Sequence, residues 1–186
     1  KELKPLDVGE GGILDALERG DQAVFTRIAR RLGRDWWCAL DWGAAPAAGG
    51  WARLRDEGER AWPFMTPGRI IKGDGTVVDG VSPSGAPRGD RFVLTSDAQL
   101  DGPDEPFGAC REVAAKLKAL GEALSDSLAA EPRLQMTVTR NTEALFACFP
   151  GRGAKYNVHY DGGNGDPRKL TAILYVNEDW DVAHDG

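Results

Sequence analysis

The sequence predicts an α+β fold, with helices in its first part and a strand-rich stretch after them. Two observations predict the order. Apolar residues recur at helical spacing before Pro132, most clearly at Val113, Leu117, Leu120, Leu124 and Leu128. After Pro132, short β-prone runs are divided by Gly, Pro, Asn and Asp. A third observation bounds the size: 186 residues are enough for one domain with a real core. Residues 1–186 are therefore expected to form a single domain, helical and loop-rich over 1–132 and strand-bearing over 133–186.

The elements follow in order. Leu14, Leu17, Val24, Phe25, Ile28 and Leu32 predict helix over 13–32, divided in two by Gly20-Asp21. Asp21 is expected to cap the second helix and Gly33 to end it. Residues 36–40 suggest a short strand, and 43–50, rich in Ala and Gly, a loop. A further helix is expected over 46–62, with Trp51 and Leu54 facing the core and Pro63 and Pro67 closing it. Residues 66–106 are rich in Gly, Pro, Asp and Ser, which predicts loops and hairpins with short strands at 69–72 and 91–95. Such a stretch is either a lid over a site or a plain surface excursion. A long amphipathic helix is expected over 107–128. Strands are expected at 134–139, 143–149, 156–160 and 169–177.

Composition excludes some functions. A net charge of −6 and a pI near 5.0 argue against a nucleic-acid surface. No apolar run approaches the ~20 residues of a membrane span. The opening Lys1-Glu2-Leu3-Lys4-Pro5 is not a signal peptide. Cys38, Cys110 and Cys148 make neither a disulfide framework nor a zinc ribbon. Reduced thiols and an intracellular location, cytoplasmic or nuclear, are expected.

The chemistry concentrates at His159-Tyr160-Asp161. Alternation along a strand puts Asn157, His159 and Asp161 on one face and Val158 and Tyr160 on the other. An imidazole and a carboxylate on one face supply two of the three ligands of a facial His/His/carboxylate iron site. Gly162-Gly163 and Asn164-Gly165 end the strand just as the carboxylate is presented, which leaves room for exchangeable ligands. Taken alone, H-x-D also fits a His and an Asp making turn hydrogen bonds at a strand end. In 169–177, Thr171, Ile173 and Tyr175 share one face; Leu170, Ala172, Leu174 and Val176 share the other. The Tyr175 hydroxyl either donates to a carboxylate in a pocket or rests in water over a packed ring. Cys148, mid-strand in an apolar run, suits a structural thiol. Neither Gly-rich turn has the setting of a phosphate cradle.

Taken together, A-C-F-P-G-x-G-x-x-Y-x-x-H-x-D-x-x-N-G-D followed by L-T-A-I-L-Y-V-N-E-D-W-D resembles the hypoxia-inducible-factor prolyl hydroxylase (Egl-nine) branch of the iron(II)/2-oxoglutarate-dependent dioxygenases. The likeness spans 142–181, and Arg88-Gly89-Asp90-Arg91 is similar to an element upstream of it. The resemblance implies a double-stranded β-helix (jelly-roll) core flanked by N-terminal helices, so that 1–186 would be one dioxygenase-like domain. It implies His159 and Asp161 as iron ligands. Tyr156 and Tyr175 would line the 2-oxoglutarate pocket, and Arg88 and Asp90 would lie near the substrate entrance. The implied reaction is hydroxylation of a prolyl residue in a protein at C4, consuming O2 and releasing succinate and CO2, with ascorbate as a supporting reductant. The family also has a second His and, soon after it, an Arg that pairs with the far carboxylate of the keto acid. His184, 25 residues beyond His159, falls short of that spacing, and Arg168 and Lys169 come too early to be that cation. The last strands of the β-helix are accordingly expected beyond Gly186. A non-catalytic peptide-binding module on a degenerate dioxygenase fold is the alternative.

Overall fold

The computed structural model describes residues 4–43, 47, 49–71, 76–80, 89–96, 107–151, 154, 161 and 167–177. In chain order the elements are α1 (Gly12–Glu18), α2 (Gln22–Asp35), α3 (Gly50–Ala61), a 3-10 turn at Trp62–Phe64, β1 (Thr66–Pro67), β2 (Arg69–Ile71), β3 (Val77–Asp79), β4 (Arg91–Leu94), α4 (Gly108–Ala130) and β5 (Leu145–Cys148). They fall into two compact units. One comprises Lys1–Arg53 and Gly108–Glu143; the other comprises Leu54–Phe107 and Ala144–Gly186.

The first unit is helical. The break between α1 and α2 falls at Gly20-Asp21, as the sequence predicted. Asp21 Oδ1 accepts from the amides of Ala23 and Val24, both at 3.1 Å, and so satisfies two donors that the first turn of α2 leaves without helical partners. Val24, Phe25, Ile28 and Ala29 form the buried side of α2, which packs against α4. α4 buries Leu120, Leu124 and Leu128, the stripe that its periodicity foretold.

Three expectations for this unit need correction. Gly33 does not end α2. The helix continues to Asp35 and closes at Trp36, which adopts φ 66° and donates its amide to Leu32 O at 2.9 Å. Gly33 serves close packing instead, since a Cβ there would come within 2.8 Å of the Glu131 side chain. Residues 36–40 form no strand; Leu40 makes only an isolated parallel bridge to Leu6. A strand needs a ladder along its length, and Leu6 offers one rung. Residues 134–139 are not a strand either. Gln135 turns left-handed at φ 47°, and the chain then bonds to α4, with Met136 N donating to Leu128 O and Val138 N to Ser125 Oγ. Those bonds satisfy amides that a ladder would otherwise have taken.

The second unit contains the sheets. β4 is central in an antiparallel sheet of order β1-β4-β5, in register Thr66↔Phe92 on one side and Arg91↔Cys148 through Leu94↔Leu145 on the other. β2 and β3 form a separate antiparallel pair. Ala61, Met65, Val93 and Phe107 make the core, with Trp62, Phe146 and Cys148 packed against it. Burying each of the larger side chains stabilises the unit by roughly 1.5–3 kcal/mol. The long-range pairing of β4 with β5 thus seals a small helix-backed core.

The strand expected over 169–177 requires correction too. Residues 167–177 form no strand, although burial alternates there in part: Leu170, Leu174 and Val176 are partly covered, Thr171, Ile173 and Tyr175 are exposed, and Ala172, expected to face inward, is exposed too. Alternation shows which face turns inward, but a strand also needs a paired neighbour, and none pairs with this run among the described residues. The strand expected over 156–160 lies outside the described residues.

Candidate metal centre

β5 feeds the motif. After Cys148 the chain turns at Gly151 (φ 75°), where Ala154 N donates to Gly151 O at 3.0 Å. Gly89, just before β4, lies against this turn, and a Cβ on Gly89 would sit 3.3 Å from Ala154 Cβ. Gly89 and Ala154 are therefore neighbours, brought together by the pairing of β4 with β5.

Asp161 is the one expected iron ligand among the described residues; His159 lies outside them, as do Tyr156, Arg88 and His184. The Asp161 carboxylate receives two donors. Thr171 Oγ1 donates to Oδ2 at 2.9 Å, and Arg168 Nη1 lies 3.4 Å from Oδ1. Its side chain is 32% exposed, so these donors orient a carboxylate that is still partly in contact with solvent. A metal-binding carboxylate needs this combination, because donors around it fix the lone pairs that face the ion. Among the described residues, no three His, Cys, Asp or Glu side chains gather to hold a metal.

Thr171 belongs to the exposed side of its run, which also holds Tyr175. The contact with Asp161 therefore ties the end of the H-x-D motif to the Tyr175 side. Tyr175 itself is 77% exposed, its ring open to solvent. Sequence reasoning placed Thr171 on that side without giving it a role. Arg168, too early in the chain to serve a distant keto-acid carboxylate, instead pairs with Asp161. The signal for Thr171 was the alternation after Pro167, which turns odd-numbered side chains toward one side; Arg168, even-numbered, had no such signal.

Asp90, expected near a substrate entrance, is buried at 2% exposure. Its carbonyl accepts from Gly68 N at 2.8 Å, and its carboxylate packs so closely on Gly68 that a Cβ there would collide with it. Its direct effect is to fix the β1–β2 corner and, through the backbone, Gly89. Next to it, the Arg91 guanidinium lies 5.1 Å from the Trp62 ring centroid. On β5, burial pushes the Cys148 thiol up from its ordinary pKa, and the nearby Glu59 charge adds to the rise. A thiol held protonated in this way suits packing better than nucleophilic attack.

Asp161, at the end of the H-x-D motif, is thus held by donors from its own chain. The known proteins similar to this chain narrow the comparison. Egl nine homolog 1 of Rattus norvegicus is 45% identical over 49 residues, covering 26% of this chain and 14% of that protein. Prolyl hydroxylase EGLN3 of Homo sapiens is 44% identical over 45 residues, 24% of this chain and 19% of that protein. The hypoxia-inducible factor prolyl hydroxylase of Caenorhabditis elegans is 39% identical over 54 residues, 29% of this chain and 8% of that protein. The matched stretch thus spans less than one fifth of each of these relatives. No family model and no solved structure matches the chain. An Egl-nine-like relationship is supported over about a quarter of the chain. Among the described residues, no helix is long and apolar enough to cross a membrane.

Proposed function

We propose that this chain belongs to an iron(II)- and 2-oxoglutarate-dependent dioxygenase that hydroxylates a prolyl residue of a protein at the 4-position, and that it carries two of the iron ligands. The observation that carries this reading is the braced Asp161 carboxylate, held by Thr171 on the side that bears Tyr175. The partial likeness to prolyl hydroxylases supports it. His159 and Asp161 would hold the iron, and Tyr156 and Tyr175 would bind the co-substrate. When bound, iron and keto acid supply the oxidative chemistry, turning O2 and 2-oxoglutarate into succinate, CO2 and a hydroxylated proline.

The protein's own residues supply orientation. Thr171 fixes one carboxylate oxygen by donating its hydroxyl proton to it. Arg168 balances the charge of the other oxygen and competes with a metal for it. Asp90 anchors the β1–β2 corner at Gly68, and Arg88 would meet the incoming peptide. The double-stranded β-helix is the fold that goes with this reading, with β1, β4 and β5 as part of it. Ascorbate would keep the metal reduced, and a cytoplasmic or nuclear setting would keep the thiols reduced.

The test has two readouts. Calorimetric titration with Mn(II), a redox-quiet stand-in, is expected to give one site in the parent chain and none in H159A or D161A. Incubation with Fe(II), ascorbate, 2-oxoglutarate and proline-containing peptides is expected to release succinate and add one oxygen to the peptide. Metal binding that survives both substitutions would overturn the ligand assignment. Peptide binding without succinate release would favour the non-catalytic module.

A further inference from the structure

α2 carries a surface that the proposed chemistry does not use. Between Gln22 and Trp37 the sequence has four arginines and one acid, Asp35, in a chain of net charge −6. Val24, Phe25, Ile28, Ala29 and Gly33 turn inward. Arg27, Arg30 and Arg34, spaced by three and four residues, consequently share the outward face, and all three are exposed. Arg30 makes no ion pair or hydrogen bond among the described residues. Arg27 gives one donor to the Asp7 carbonyl, which leaves its charge uncompensated. Asp35 is shared between Arg31 and Arg34; it takes two bonds from one edge of the Arg34 fork, at 3.0 and 3.1 Å, which leaves the Nη1 end of Arg34 for a partner.

The stripe ends in two indoles. Trp36 is 76% exposed and Trp37 is 42% exposed, with the Arg31 guanidinium 5.4 Å from the Trp37 ring centroid. Folding gains little from a tryptophan left so open to water, whereas Trp and Arg are the residue types that carry most binding energy at protein interfaces. Guanidinium forks pair with carboxylates two bonds at a time. We infer that the outward face of α2 docks an acidic segment of a partner protein, its carboxylates on Arg30 and Arg34 and an apolar side chain on Trp36 and Trp37. Charge complementarity selects this occupant. A nucleic acid would meet the acidic excess of the whole chain, and the arginine stripe is no longer than the one helix α2.

The probe is a short fluorescein-labelled glutamate-rich peptide bearing a single leucine, titrated with the 186-residue chain by anisotropy. Saturable binding that weakens with salt is expected, with a loss of about tenfold in R30E/R34E and a similar loss in W36A/W37A. A lysine-rich version of the peptide should bind R30E/R34E better than it binds the parent chain. Far-UV circular dichroism checks each fold, and R30Q/R34Q replaces the charge reversal if that variant unfolds. Three results would overturn the inference: peptide affinity unchanged in the arginine variants, tighter binding of a single-stranded oligonucleotide than of the peptide, or sedimentation showing that this face joins two copies of the chain.

Discussion

Replacing Thr171 by Val removes one hydroxyl, keeps the side-chain shape, and isolates what that group does for Asp161. The bond it removes is 2.9 Å long and ends on a carboxylate oxygen. A buried hydrogen bond to a charged group contributes about 1.5–3 kcal/mol. Asp161 is one-third exposed and Thr171 is exposed, so water can replace part of the bond; the discounted figure is about 1 kcal/mol. If the hydroxyl orients the carboxylate toward a metal, T171V should weaken Mn(II) binding about fivefold, just below the range usual for residues that brace a ligand. Arg168 makes the control, because its effect has the opposite sign. Its guanidinium lies 3.4 Å from Oδ1 and repels an incoming cation, so R168A should strengthen binding by about two- to threefold, more at low salt. Calorimetry of the parent, T171V, R168A and D161A chains decides the matter. Loss of binding in D161A with no change in T171V would mean that the hydroxyl does not orient the carboxylate. Weaker binding in both T171V and R168A would mean that Arg168 acts as a brace and not as a competitor.

Three further outcomes test the fold and its thermodynamics. D21A should lower stability by about 1 kcal/mol, seen as a shift in the urea midpoint at constant slope, because one oxygen caps two amides; an unchanged midpoint would show that water replaces the cap. Cys148, its pKa raised chiefly by burial and then by Glu59, holds less thiolate at pH 8 than a free cysteine does and should react more slowly with iodoacetamide. E59Q removes one cause of the rise, lowers the pKa part of the way and should speed the reaction; peptide-mapped mass spectrometry measures both rates. W36G should stabilise the chain by about half a kcal/mol, since glycine relieves the left-handed backbone at φ 66° and the indole there is mostly in water. A loss above about 1 kcal/mol would show that the ring packs more than its exposure indicates.

Helices were legible where local chemistry alone decides them. Asp21 announces α2 because its carboxylate reaches amides two and three residues away, a bond that needs nothing from the rest of the chain. The stripe of α4 is equally local. Strands were legible only in part. Residues 145–148 and 91–94 do form strands, since each finds the other as a partner. Residues 134–139 have equal β propensity, but α4 takes their amides through Ser125 Oγ and Leu128 O. Propensity records how a side chain fits a pleated surface; the competition for a backbone donor is decided by whatever lies nearby. Gly33 fails as a stop signal for a related reason. A glycine is compatible with a helix end and with close packing, and the Glu131 side chain that distinguishes the two lies far along the sequence.

The candidate site has the same division. The H-x-D spacing predicts two metal-capable groups on one face, an expectation that lies partly outside the described residues, and the alternation after Pro167 puts Thr171 and Tyr175 on one side. Neither pattern says that the two stretches meet. Their meeting is a matter of tertiary structure, seen in the hydrogen bond between Thr171 and Asp161. That bond also changes what the carboxylate can do. An aspartate at a bare strand end samples several rotamers and has to lose that freedom on binding an ion. An aspartate already held by a hydroxyl has lost part of it beforehand, so a metal meets a more ordered ligand. Arg168 acts against this gain by occupying the second oxygen. On the proposed reading, the neutral donor that orients the carboxylate would favour a metal and the cation beside it would oppose one.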